Sequence, residues 1–418
     1  MVKRFDAASW RESPLSGARF DLSRFAAERA AVGAICERVR TEGDAALREL
    51  GRRFDGWAPA EGESFEVALE RESKRIDAAD REALEFAAGR IREYHERQRP
   101  EQSERGSLRL VTRPVASAGL YAPGGRAAYP STVLMTAIPA RVAGVQRVVL
   151  ATPPRADGTV PPAVLAAARI ARVDAVYRVG GAQAIAALAY GTETIPRVDV
   201  IAGPGNIYVT LAKREVFGAV GVDGIAGPTE VVVLADGGAR PDFVAADLAA
   251  QLEHDPMAWG VLVTDSDRLA ARAVEELEDL LRDLERAEII RQANCCVILV
   301  RDMDEALRVV DDFAPEHLLI VAADAESLSA RVRNAGAIFV GPYATVPLGD
   351  YTAGPNHTLP TAGAARYASP LGVHTFLKRT SVLNLGRDDL RKLRDATVRL
   401  AALEGLGAHA HAVDVRLE

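Results

Sequence analysis

Apolar residues recur at three- and four-residue steps over 30–53 and again over 77–97, where Leu84, Ala87, Ala88 and Ile91 share one side. This period predicts helices, and residues 1–114 read as a mainly helical N-terminal region that packs in part with the second α/β half. From Val115 the pattern changes. Short apolar runs, read as strands over 147–152, 175–179 and 198–202, alternate with helical stretches over 162–171, 182–190 and 206–217. A second series begins at Glu230, with strands over 230–235, 261–264, 296–300, 317–321 and 337–340. Its helices lie over 241–254, 267–289 and 304–313. The longest of these carries Val274, Leu277, Leu281 and Leu284 as one stripe. Strand–helix alternation with short connections implies parallel strands joined by right-handed crossovers. The expected fold is therefore α/β, with one α/β domain over 115–229 and a second over 230–378. The second includes a Gly- and Pro-rich loop region over 341–372, and residues 379–418 form a helix and tail.

Length and composition agree. At about 150 residues per domain, 418 residues allow two or three domains. With 48% hydrophobic and 26% charged residues, a disordered chain is excluded. Lys plus Arg number 51 against 58 Asp plus Glu, and a formal charge of −7 argues against general nucleic-acid binding, which depends on phosphate neutralisation. The start, Met1 to Asp6, has two basic residues but no apolar run behind them, so no signal peptide is expected. No apolar stretch reaches the 18 residues of a spanning helix. Cys36, Cys295 and Cys296 make no disulfide framework, which points to a reducing, cytoplasmic compartment.

Six of the seven histidines lie between His254 and His411, and several sit beside acidic residues or Gly-Pro turns. Gln251 and His254 share a helix face at i,i+3, and amide oxygen and imidazole nitrogen both suit a borderline metal. The same pair also suits an ordinary helix C-terminus. Glu316-His317 lies where a helix gives way to a strand. A carboxylate and an imidazole can exchange protons at neutral pH, yet neighbours on an extended chain point apart, and a helix-ending turn accounts for the pair equally. Asp350 and His357 sit in a long polar loop from Gly349, which can hold a metal and a ligand carboxylate or be a plain series of turns. Glu404 and His409 lie in the tail, where order is not expected unless the tail docks on another subunit. Two glycine segments, Gly119 to Gly125 and Gly203-Pro-Gly-Asn206, could offer free backbone N–H groups to phosphate, although neither fits G-x-G-x-x-G.

Taken in order, these segments resemble the histidinol dehydrogenase family. The resemblance is carried by Gly119-Leu-Tyr-Ala-Pro-Gly-Gly125, Val179-Gly-Gly-Ala-Gln183, Gly203-Pro-Gly-Asn206, Ala226-Gly-Pro-Thr-Glu230, Gln251-Leu-Glu-His254, Ala314-Pro-Glu-His317, Gly349-Asp-Tyr351, Ala353-Gly-Pro-Asn-His357 and Glu404 to His409. It implies two incomplete Rossmann-like domains and a cytoplasmic homodimer whose C-terminal tails pack on the partner. It further implies a zinc ion per subunit and the oxidation of L-histidinol to L-histidine through the aldehyde with two NAD, the last step of histidine biosynthesis. By the same resemblance Gln251, His254, Asp350 and His409, the last from the other subunit, hold zinc. Tyr121, Gln183 and Asn206 contact NAD, and Glu316 and His317 are the acid–base pair. Substrate is bound by Thr229, His357 and Glu404 beside the zinc ligands and the acid–base pair. Thr229 stands where Ser is common in the family, which keeps the hydroxyl. Two other readings remain at this point: a family relative acting on a different polar alcohol, and a two-lobed solute-binding protein. The Glu316-His317 pair argues against the second.

Overall fold

A computed structural model of the chain describes residues 2–13, 15, 20–100, 107–124 and 128–418. Met1 and Gly125, both used in the reading above, lie outside the described residues. Two compact units divide the chain: Met1–Arg99 with Val115–Phe376, and Pro100–Pro114 with Leu377–Glu418.

The larger unit is built on two parallel sheets. One has five strands in the order Ala175–Arg178, Arg147–Thr152, Ser117–Tyr121, Val200–Ala202, Gly221–Val222. The other has six, in the order Lys3–Asp6, Asn294–Leu299, Trp259–Thr264, Glu230–Ala235, His317–Val321, Ala337–Val340. The central strands Glu230–Ala235, Trp259–Thr264 and His317–Val321 are buried at every residue. That explains why they read as continuous apolar runs rather than alternating ones: helices cover both faces of a parallel sheet. The helices Pro130–Ala143, Pro162–Ile170 and Pro241–Leu252 each place proline in the first turn, where its missing N–H costs no helical hydrogen bond. In the N-terminal region Gly43 separates the helices Ala26–Glu42 and Asp44–Phe54 at φ +56°, and Ala78–Glu96 forms the second expected helix.

Several elements depart from expectation, among them the strands Leu108–Pro114, Ser117–Tyr121 and Leu377–Leu383, where the pattern predicts none. Lys3–Asp6 is a strand, parallel to Asn294–Leu299, within the region read as helical. The stretch 267–289 is two helices, Asp267–Leu280 and Ala287–Gln292. The chain turns between them so that Leu281, Ala287 and Ile290 reach the same apolar cluster as Leu277, and no Gly or Pro announces the break. Asp350 is on a short helix, Val346–Tyr351, instead of a loop. The tail is ordered into two helices, Arg387–Leu403 and Gly407–Asp414.

The smaller unit contains those two helices and an antiparallel pair, Leu108–Pro114 with Leu377–Leu383. Arg394 bonds Asp414 at 2.8 Å, tying the second helix to the first. Among the described residues no helix is long and apolar enough to cross a membrane.

Candidate active site

Opposite edges of the two sheets carry the candidate residues. In the five-stranded sheet they follow the strands. Tyr121 ends Ser117–Tyr121, Gly180 and Gln183 follow Ala175–Arg178, and Gly203 to Asn206 follow Val200–Ala202. In the six-stranded sheet they precede the strands: Thr229 stands before Glu230–Ala235, and Glu316 before His317–Val321. Contacts between the halves include that of Asn356 Nδ2, which donates to the Met135 carbonyl at 2.6 Å. Thr210 Oγ1, on the helix that Asn206 caps, donates to the Ala226 carbonyl at 3.1 Å. Thr132 Oγ1 meets His357 Nε2 at 3.3 Å.

The backbone of one residue, Glu230, organises the candidate acid–base pair. The Glu230 N–H donates to Glu316 Oε2 at 2.8 Å, and the Glu230 carbonyl accepts from His317 Nδ1 at 3.1 Å. Glu316 and His317 therefore converge rather than point apart, with Nδ1 3.5 Å from Oε2. The convergence is possible because Glu316 lies just ahead of the strand, after a left-handed turn at Ala314 (φ +50°). With Nδ1 donating to a carbonyl, the imidazole proton sits on that nitrogen. His317 Nε2 is buried with no hydrogen-bond partner and lies 3.8 Å from Asp350 Oδ1.

A second chain of bonds runs from Glu316 to Gln251. Thr229 Oγ1 donates to Glu316 Oε2 at 2.6 Å and accepts from Gln251 Nε2. With its nitrogen so used, Gln251 leaves a buried Oε1 that accepts no hydrogen bond. His254 follows two residues beyond the end of Pro241–Leu252. The helix Val346–Tyr351 brings Asp350 to His317, and Thr345, which caps that helix, bonds Asp247 Oδ1 at 2.5 Å. Asp247 and Gln251 are four residues apart on one helix and share its face. Gly349 lies against Phe339, where a Cβ would fall 2.7 Å from the ring. His357 Nδ1 donates to the Asp350 carbonyl at 3.0 Å, which leaves Nε2 as an acceptor facing Thr132.

Burial sets the electrostatics. It pushes Glu316 up to about 7, against the pull of the Thr229 hydroxyl and the Glu230 N–H. It also raises Asp350 to about 6, with His317 pulling it back. All three imidazoles shift the other way, toward the neutral form: His357 falls to about 4, and His254 and His317 are lowered, each mainly by burial. Neutral imidazole nitrogen is the form that accepts a proton or binds a metal. Among the described residues no three His, Cys, Asp or Glu side chains form a group that could hold a metal. Of the proposed zinc ligands within the larger unit only His254 and Asp350 are of those types. The third is the amide of Gln251, whose bare buried oxygen is the kind of acceptor a cation satisfies.

The nucleotide-candidate residues are more tightly engaged than the sequence suggests. Tyr121 is 3% exposed, and its hydroxyl accepts from the Gly181 N–H at 3.0 Å. Gln183 Nε2 donates to Asp55 Oδ2 at 3.4 Å. Asn206 Oδ1 caps its helix by accepting from the Tyr208 and Val209 N–H groups at 3.1 and 3.2 Å. The expectation of free N–H groups after Gly203 is thus corrected: Asn206 takes two of them, and Asp223 Oδ2 takes that of Gly203 at 2.8 Å. Gly119 is a packing glycine, since a Cβ there would fall 2.9 Å from Val198. In the smaller unit, Glu404 ends the helix Arg387–Leu403 and His409 lies on Gly407–Asp414; both are exposed.

Thr132, Asp247 and Asp55 were not singled out from the sequence. Asp247 left a trace, as the one charge within the apolar run Phe243 to Leu252. Asp55, before Gly56, reads as a turn.

A buried carboxylate–imidazole pair in a mixed α/β chain with parallel sheets is suited to proton transfer. A family model described as histidinol dehydrogenase matches residues 21–417. A histidinol dehydrogenase of Geobacillus kaustophilus is 52% identical over 404 residues, covering 94% of each chain. One of Parasynechococcus marenigrum is 49% identical over 394 residues, covering 92% of this chain and 90% of its own. The crystal structure of histidinol dehydrogenase from Elizabethkingia anophelis superposes at a TM-score of 0.90 with 31% identity, covering 100% of this chain and 98% of that one. The chain belongs to the histidinol dehydrogenase family, a family of oxidoreductases.

Proposed function

We propose that this chain oxidises L-histidinol to L-histidine through L-histidinaldehyde, with NAD as acceptor, in a cytoplasmic homodimer with shared active sites. The reading is carried by one observation: Glu316 and His317 are buried on the N–H and carbonyl of one residue, Glu230, with His317 Nε2 left bare. In the first half-reaction His317 Nε2 takes the hydroxyl proton as hydride leaves the carbinol carbon, giving the aldehyde. In the second, Glu316 takes a proton from water as the oxygen adds to the aldehyde carbon. The hydrate then loses its hydride and becomes the carboxylic acid. NAD, when bound, accepts each hydride; Tyr121, Gln183 and Asn206 are its proposed contacts, in the domain over 115–229. Gln251, His254 and Asp350, over 230–378, would hold zinc with His409 from the tail (379–418) of the partner subunit. The ion supplies a positive centre for the nitrogen donors of the substrate. Thr229, His357 and Glu404 complete the substrate contacts. His357 does so as a neutral acceptor, because its Nδ1 proton is committed to a carbonyl.

The test is NADH absorbance on adding L-histidinol or other amino alcohols, with and without a chelator. The expected result is turnover of histidinol above the others, abolished by the chelator. Preference for a different polar alcohol would reassign the substrate.

A further inference from the structure

We infer that the buried Lys213–Asp223 pair is a positioning device for the NAD end of the site; the inference rests on the reading of Asn206 as a cofactor contact. Lys213 Nζ and Asp223 Oδ1 lie 2.5 Å apart, with side chains only 5% and 4% exposed. Neither takes part in the chemistry above. Both ends of one residue, Gly203, are bound to them: its N–H donates to Asp223 Oδ2 at 2.8 Å, and its carbonyl accepts from Lys213 Nζ. The three residues form a closed ring of bonds.

Gly203 opens the turn that leads to Asn206. Its φ of +123° is one that residues with side chains rarely adopt, and a Cβ would fall 2.1 Å from the Tyr121 carbonyl oxygen. Glycine is therefore required, but glycine alone does not hold a single conformation. The turn needs partners for both backbone groups of Gly203, and the ion pair supplies them. Lys213 comes from the helix Ile207–Val216 that Asn206 itself caps, so helix, turn and cap are fixed as one body against Tyr121. A buried ion pair is weak evidence of stability, because desolvation offsets its attraction. Its consequence here is geometric: Gly203 adjoins the backbone of Tyr121 and opens the turn to Asn206, two of the three proposed NAD contacts.

The test compares K213M, D223N and the double variant K213M/D223N with N206A, in the full-length enzyme with metal. Because each single change strands a buried charge, the double variant is included to remove both, and circular dichroism checks folding at the assay temperature. Should K213M and the double variant not fold, D223N, which keeps the side-chain shape, decides. Loss of the clamp is expected to raise KM for NAD about tenfold while kcat and KM for histidinol stay within about threefold. Unchanged KM for NAD in the folded variants, with N206A raising it, would overturn the inference alone. So would a loss carried by kcat or by KM for histidinol. Unchanged KM for NAD in N206A would overturn the reading of Asn206 and the inference with it.

Discussion

At the scale of single residues, burial raises the pKa of both site carboxylates, Glu316 and Asp350. Glu316 has two hydrogen bonds to one oxygen and is still pushed up to about 7 by burial. Burial shifts His317 the opposite way, lowering its pKa. In its proposed role as base for water Glu316 must be ionised, so oxidation of histidinaldehyde should fall about tenfold per pH unit below 7 and level off above it. A pH profile of the aldehyde half-reaction checks this; a flat profile between pH 5.5 and 7.5, values chosen to bracket about 7, removes Glu316 from the role. Glu316→Gln should slow oxidation of histidinaldehyde by about 10²–10⁴-fold and that of histidinol much less. Equal losses in both half-reactions would point instead to binding or folding.

The residue types of the site were legible in the sequence, but their convergence was not. Adjacent Glu316 and His317 look divergent on an extended chain. What turns them together is the backbone N–H and carbonyl of Glu230, 86 residues away from Glu316, and no local pattern reports such a neighbour. Asp350 had the same obscurity. Its segment reads as loop because Gly349 and Pro347 suggest turns, whereas proline starts the helix and Gly349 lets it lie on Phe339.

At the scale of elements, the strands that were easiest to find are continuous apolar runs, whether buried throughout like Glu230–Ala235 or half-exposed like Ala337–Val340. Arg147–Thr152, Glu230–Ala235, His317–Val321 and Ala337–Val340 were legible from end to end. Those missed include Ser117–Tyr121, buried at all but its first residue, and two exposed ones. Lys3–Asp6 has no buried residue, and Leu108–Pro114 has one; their order comes from a partner strand. Helix placement also bears on the site. Gly349→Ala should push the helix Val346–Tyr351 off Phe339. Overpacking there is expected to cost about 1–3 kcal/mol and to lower activity by moving Asp350. Thermal melting and kcat/KM measure the two effects. Full activity with an unshifted melting temperature would show that the contact is slack.

At the scale of the whole molecule, two apolar sheets with helices packed on them supply the fold without a metal. A chelator should therefore abolish turnover while leaving the far-ultraviolet circular dichroism unchanged. Global unfolding on chelation would contradict a purely local role for zinc. The proposed sharing of sites between subunits predicts complementation. His409→Asn and Glu316→Gln homodimers should each be nearly inactive. Their mixed dimer should regain activity in at most about half of its sites, where a wild-type tail meets a wild-type Glu316. Verified mixed dimers without activity would place His409 in its own subunit's site.

The central claim is that one site performs both oxidations, with His317 taking the alcohol proton and Glu316 the water proton. It is tested most directly by counting NADH formed per L-histidinol consumed, with a carbonyl trap in solution. The account predicts two NADH for each L-histidine formed and no trapped aldehyde. One NADH per substrate, with histidinaldehyde accumulating in the trap, would contradict it.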